Sequence, residues 1–468
     1  MKPRVIATTD GELDDTSSMV RFLMYASDYD VVGIVQVNSK FQKSGHSRDG
    51  WIEDQLDKYE QVLPNLRTHN PDYPDASYLK SVLRVGNENS SDLNTDPPDM
   101  KTKDTPGEQL IIERLLDDDP RPVHVLSWGG ANTTASALWR LKTDYTPEQY
   151  EYAVSRIRIY CIWYQDGGGQ WIENNIPGAK IYEAGADHDS WRYVWDYMSV
   201  DGYYKGRDSH NPPEVQAVMN KAWLSENVKN NHGPLGQAYP QSYTSEGDTP
   251  SFMPLIGNGL EQHLDYTLGG WGGRPVYDSG NHMTDSPDDG NYHKTFWRWL
   301  LSAQNDWAAR MDWCVAPSYD AANHPPVAGV AGALVRDVSP GQTVVLDASP
   351  STDPDGDSLS YTWWQYSDAD SVAAKVTINN STSMSDAGFT VPNEAGKQIH
   401  MILEVKDDGT PPLVSYRRII FNIKASTQNP DPGPGDPDTS DHDAFTDLIG
   451  WATMEGGTTG GGDANPQY

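Results

Sequence analysis

The sequence predicts an open, mostly parallel α/β sheet flanked by helices, followed by an all-β immunoglobulin-like sandwich. Three observations carry this. Short apolar runs alternate with helical periods up to about residue 318; helical periodicity then stops after Ala316-Pro-Ser-Tyr-Asp-Ala-Ala-Asn-His-Pro-Pro326; and a Pro/Gly/Asp run follows at Gln428–Asp438. At 468 residues the chain exceeds the roughly 250–300 residues at which one core stops growing, so several units are expected.

Arg4–Thr8, Val31–Val37, Val123–Ser127 and Arg158–Trp163 read as buried parallel strands, because each is apolar throughout and ends in polar or glycine-rich residues. Helices fit between them at Asp15–Ser27, Ile52–Leu63, Pro106–Leu116 and Thr133–Lys142. In an open sheet of this kind ligands sit beyond the carboxyl ends of the strands. The second unit, 325–425, has short strands at Thr343–Leu346, Leu359–Trp364, Ile399–Val405 and Arg418–Ile423. Asp353-Pro-Asp-Gly-Asp357 between two of these suits a hairpin turn or an oxygen-liganded cation.

Residues 426–443 form a linker with nothing to bury. Beyond it, 444–468 resembles the opening of a pectate lyase β-helix, too short to stack into a solenoid; a catalytic lyase domain is the expected continuation.

A formal charge of -32 and a pI near 4.5, with no basic run, argue against a nucleic-acid partner. No apolar stretch approaches the about 18 residues of a membrane span. Cys161 and Cys314 both lie in apolar runs and suit buried thiols, but whether they pair is open. A secreted protein whose signal has been removed is expected, and the 16 Trp and 25 Tyr against 7 Phe supply ring faces for sugars.

The strongest chemical signal is Thr8-Thr-Asp10-Gly-Glu-Leu-Asp14-Asp15 at the end of the first strand. Crowded carboxylates repel unless a cation or N–H donors compensate, and oxygen-only ligands suit a hard cation such as calcium. Asp14 and Asp15 also suit the positive end of a helix dipole.

The segment resembles the Asp-x-Asp-Pro-Gly-x-Asp-Asp signature of nucleoside hydrolases, and four further similarities follow in order. Asn38 ends the second strand; Ser127-Trp-Gly-Gly-Ala-Asn132-Thr-Thr resembles the loop whose carbonyl binds calcium, near Asn132; Ile172-Glu173-Asn-Asn175-Ile176 resembles the sugar-holding Glu-Phe-Asn-Ile; and Glu246-Gly-Asp248-Thr-Pro250 resembles the His-Asp-Pro that completes the calcium shell. The branch called cellulose-binding, nucleoside-hydrolase-like proteins is the most similar, since it also carries a C-terminal sandwich. The resemblance implies calcium on Asp10, Asp15, Asp248 and a carbonyl near Asn132, with Asp10 as catalytic base and Asp14, Asn38, Glu173 and Asn175 as sugar ligands. Thr8 replaces the first Asp, Gly11-Glu12 replaces Pro-Gly, and Gly247 replaces the His that protonates a leaving base.

Three functions follow: a calcium-dependent glycosidase acting on pectic or hemicellulosic cell-wall polysaccharide, including furanosyl units; a non-catalytic cellulose or glycan binder, stacking sugars on Trp128, Trp163, Trp171 and Trp271; and a nucleoside hydrolase. His46, His282 and Asp166 are the candidate leaving-group acids.

Overall fold

A computed structural model describes residues 1–93, 103–186, 188–198, 210–241 and 245–424; the expected linker and lyase-like segment lie outside them. Elements follow in the order β1 (Arg4–Thr9), α1 (Leu13–Met24), β2 (Asp30–Gln36), α2 (Trp51–His69), α3 (Ala76–Ser81), β3 (Leu83–Val85), α4 (Pro106–Leu116), β4 (Val123–Ser127), α5 (Asn132–Asp144), α6 (Pro147–Arg156), β5 (Ile157–Ile162), α7 (Gly168–Asn175) and β6 (Lys180–Ala184). After β6 come short helices α8 (Pro213–Ala217), α9 (Lys221–Leu224) and α10 (Gly233–Gln237), then β7 (Pro275–Ser279), β8 (His282–Asp285) and the long α11 (Lys294–Trp313).

These strands form one sheet in the order β3-β2-β1-β4-β5-β6-β8-β7, parallel except for β7 against β8. Strand alternation sends Val5, Ala7, Tyr160 and Ile162 into a core shared with α1, α2 and α11, and Ile6, Val125, Ile159 and Cys161 into a second core under α4, α5 and α7. Helices on both faces explain why these strands are apolar throughout.

Two helix boundaries differ from the expectation. α1 begins at Leu13, so Asp14 and Asp15 lie inside its first turn. α2 runs through Pro64 to His69, because continuing the helix buries Leu66 and His69. Both cysteines are free and buried, and burial raises both thiol pKa values.

The second unit contains β9 (Val335–Val338), β10 (Thr343–Leu346), β11 (Ser360–Gln365), β12 (Ala387–Thr390), β13 (Gln398–Lys406) and β14 (Val414–Ile423). One sheet is antiparallel β10-β12; the other runs β11-β13-β14-β9, antiparallel except for β9 with β14. Val344, Leu346, Trp363, Phe389, Met401 and Phe421 fill the space between them. Asp353 Oδ1 accepts the N–H groups of Asp355 and Asp357, both at 2.9 Å, in a turn that also brings oxygens of the three carboxylates within 4.8 Å of one another.

A histidine relay ties the units together. His69 Nε2 donates to the carbonyl of Ala316 at 3.0 Å, His69 Nδ1 meets His324 Nε2 at 2.9 Å, and His324 Nδ1 meets Asp355 at 3.0 Å. A carbonyl and a carboxylate only accept, so His69 Nε2 and His324 Nδ1 are the donors in these two contacts. Desolvation lowers the pKa of His69. His324→Ala should therefore lower stability by about 1–3 kcal/mol by stranding buried partners; a denaturation midpoint equal to the parent's would show that the relay is dispensable.

Candidate functional site

The site lies where β1, β2 and β4 end. After Thr9 the chain turns through Asp10-Gly11-Glu12 into α1. Gly11 has φ +77, and a Cβ there would meet His46 Cβ at 2.7 Å and the Trp51 indole nitrogen at 2.8 Å, so the turn takes glycine on both backbone and space grounds.

Asp15 folds back on the turn. Its Oδ1 accepts the Thr9 hydroxyl and the Asp10 N–H, the latter at 3.2 Å. A distant loop supplies the next carboxylate. Glu246 forms a buried two-point ion pair with Arg21 of α1, and Tyr239 and Thr249 hydroxyls donate to it at 2.9 and 3.0 Å. The Arg21 guanidinium also lies 3.6 Å over the Trp307 ring. This pair brings the loop onto α1, where the Asp248 N–H donates to Ser18 Oγ at 3.3 Å.

Oxygens of Asp14, Asp15 and Asp248 consequently approach within 4.8 Å of one another. Gly247 makes room, since a Cβ there would fall 2.3 Å from Asp14 Oδ2. Asp10 lies on the β4 side, where a Cβ on Gly129 would come within 2.9 Å of its own Cβ. Burial and mutual repulsion raise the pKa values of Asp10, Asp14 and Asp248 well above the carboxylate range; burial raises that of Asp15, with Thr9 and Asp10 donors opposing. Glu12, which sequence reasoning did not single out, is pushed to about 7 by burial and by Asp15 and Asp196. Asp10 Oδ2 and Asp248 Oδ2 are buried without a hydrogen-bond partner. Clustered carboxylates with free oxygens and no Cys or His among them fit a hard cation, with Asp14, Asp15 and Asp248 as the nearest set and Asp10 beside it.

The other expected residues are distributed unevenly. Asn38 sits at the end of β2, its amide donating to Lys43 O at 2.9 Å and its carbonyl accepting Gly130 N–H at 2.9 Å. Asn132 opens α5 with its N–H on Asp166 at 2.9 Å and its amide on Asp92 O at 2.8 Å; Gly129, not Asn132, is the loop residue packed on Asp10. Glu173 and Asn175 lie on α7. Glu173 accepts from Tyr164 and Gln170 at 3.3 and 3.1 Å, while the Asn175 amide donates to Trp171 O at 2.9 Å.

Trp128 and Trp171 are core residues at 1% and 4% exposure, so neither ring face is open to a sugar. The Trp128 indole donates to Ser251 Oγ at 2.8 Å, and Ser251 Oγ donates to Asp248 O at 2.6 Å, so Trp128 positions the Asp248 loop. Trp271 is likewise buried; Trp163 is partly exposed beside Phe41. Of the acid candidates, Asp166 accepts three backbone N–H groups at the starts of α5 and α7, His282 lies on β8 with Asp278 at 2.7 Å, and only His46 borders the cluster, over Gly11.

The family model for the cellulose-binding Sde182, nucleoside hydrolase-like domain matches residues 4–275, and that for the cellulose-binding protein Sde0182, C-terminal domain, matches residues 343–423. The chain belongs to this family. A solved nucleoside hydrolase-related hypothetical protein from Saccharophagus degradans, described as associated with carbohydrate metabolism, is similar at 33% identity and a TM-score of 0.76, over 91% of this chain and 100% of that one. A plant nucleoside hydrolase, PpNRh1, aligns at 11% identity and a TM-score of 0.31, over 61% of this chain and 87% of that one. The PKD domain of KIAA 1837 aligns at 22% identity and a TM-score of 0.17, over 22% of this chain and 92% of that one. No curated protein matches the chain. Among the described residues, no helix is long and apolar enough to cross a membrane.

Two outcomes test how the family's site is held. Arg21→Met should cost about 3–5 kcal/mol, because Glu246 would remain buried and unpaired; a loss below 1 kcal/mol in urea melts would contradict the role given to the pair. The second outcome concerns pH. Raised carboxyl pKa values mean that the folded protein, in chelator, holds protons that the unfolded chain releases above about 4. Stability from these groups is present below that pH and is lost as pH rises, so the melting midpoint in chelator should fall from pH 5 to pH 8. Asp248→Asn should flatten the slope.

Proposed function

We propose that the first domain is a calcium-dependent glycoside hydrolase acting on pectic or hemicellulosic plant cell-wall polysaccharide, furanosyl units included, by water attack at the anomeric carbon. The supporting observation is the buried carboxylate cluster at the strand ends, in which Asp10 Oδ2 and Asp248 Oδ2 have no partner. Such a cluster rarely helps stability by itself.

Asp14, Asp15 and Asp248, with Asp10 beside them, would hold the cation. When bound, calcium supplies positive charge that offsets these carboxylates and orients the attacking water. Asp10 accepts the water's proton through its free Oδ2. Asp14, the least buried of the four, accepts hydrogen bonds from sugar hydroxyls. His46 borders the Gly11 turn with Nδ1 on Asp49 at 2.6 Å and Nε2 on the Gln42 amide at 2.7 Å, and it stands with His282 and Asp166 as a candidate for the leaving-group acid. Direct attack by water inverts the anomeric carbon. Ordinary nucleosides should be poor substrates, because the Gly247 position is filled by Asp14 and has no room for an acid that protonates a base.

The family's cellulose-binding description favours a second reading, a glycan binder without turnover. Reducing-sugar release from arabinan and arabinose-bearing pectin, with calcium and with chelator, separates the two. Hydrolysis should be calcium-dependent and fall by about 10²–10⁴-fold in Asp10→Asn with glycan retention preserved, whereas Asp15→Asn should weaken calcium affinity and thermal stability together. Retention on cellulose or pectin with no product from any glycan, at saturating calcium, would establish the binder and reject the hydrolase.

A further inference from the structure

A second cleft lies at the seam of the two domains, away from the carboxylate cluster. Its volume is ≈390 Å³, within the about 300–1,000 Å³ typical of small-molecule sites, which often form between domains. The α/β domain contributes Asp289 and Arg298, and the sandwich contributes Trp364, Tyr366, Asp368 and Lys375.

Trp364 is the unusual element. Along β11, Trp363 points into the sandwich core and is 1% exposed, while alternation turns Trp364 to the opposite face, where it is half-buried against the α/β core and lines the cleft. Its indole is held rigidly. Nε1 donates to Glu404 at 3.1 Å, Arg298 lies 4.6 Å over the ring, and Tyr366 and Trp299 pack at 5.4 and 5.7 Å. Arg298 is itself fixed by Asp288 at 2.9 Å.

The charges around the ring balance, with Asp289 and Asp368 against Arg298 and Lys375. Lys375 reaches Asp289 at 3.4 Å from a side chain that is 73% exposed, so it can turn toward an occupant. A balanced lining favours neither a phosphate nor a metal ion. A fixed aromatic ring surrounded by donors and acceptors of both signs suits a neutral, hydroxyl-rich ring compound.

We propose that this seam cleft is a second glycan site, which binds a short neutral oligosaccharide by stacking a sugar on Trp364 and pairing its hydroxyls with Asp289, Asp368 and Lys375. The assignment of the ligand class rests on the glycan reading above. Both domains line the site, so occupancy stiffens the seam as well as retaining the polymer.

Calorimetric titration of the full chain with cellohexaose, xylohexaose and a hexagalacturonate tests it, on the parent, Trp364→Ala, Ser367→Trp and Asp10→Asn. Trp364→Ala should weaken binding of a neutral hexasaccharide at least about tenfold. Ser367→Trp, which fills the cleft without removing the Trp364 packing, should do the same at an unchanged melting midpoint, and Asp10→Asn should bind like the parent. Unchanged affinity in Ser367→Trp and Trp364→Ala, with the parent binding, would overturn the site while leaving the glycan reading intact. Preference for the hexagalacturonate would overturn the neutral ligand class, and no binding by the parent to any of the three would overturn both the site and the glycan reading.

Discussion

Four carboxylates share a space almost closed to water at the end of β1, and most of the local architecture answers their repulsion. Burial raises the cost of ionising Asp10, Asp14, Asp15 and Asp248, the Asp15 carboxylate adds to it at the other three, and no Lys or Arg among the described residues forms an ion pair with any of them. Backbone and hydroxyl donors relieve only part of this, chiefly at Asp15 through Thr9 and the Asp10 N–H. The nearest buried cation, Arg21, is committed one loop away to Glu246, where it fixes the Asp248 loop without neutralising it. A cation bound there, as proposed above, would supply the positive charge that balances the cluster.

The same constraint explains the glycines. Gly11, Gly129 and Gly247 stand where a Cβ would strike His46 and Trp51, Asp10 or Asp14, so all three mark close approach of chain segments around the carboxylates. It also explains Trp128. An indole reaching the Asp248 loop through Ser251 holds a carboxylate in place against repulsion, which requires burial and rules out stacking on a sugar. Partly open aromatic surface is found at exposed Phe41 with half-buried Trp163 beside it, and at half-buried Trp364 on the domain seam.

Part of this was legible because it is local. Apolar strand runs, helical periods and the loss of periodicity after Pro326 follow from two spacings, 2.0 and 3.6, that a window of residues displays. The Asp10–Asp15 turn was visible for the same reason, since six consecutive residues place four carboxylates at one strand end. The seam was not visible: His69, His324 and Asp355 lie far apart in the chain, and nothing near any of them marks a partner. Arg21 did carry a signal, a charge inside the apolar run Met19–Met24, but not the identity of its counter-ion.

By itself, then, the sequence determined the two architectures, their order and the strand end at which acidity collects, because backbone periodicity and turn chemistry are properties of neighbours. Only the tertiary structure decided that Asp14 stands in the nearest set with Asp15 and Asp248, which partners Glu173 and Asn175 take on α7, and that Trp128 and Trp171 are core. Those outcomes depend on which helix face packs on which sheet face and on where a loop more than two hundred residues away is anchored, and the burial energy that settles such choices is summed over the whole core.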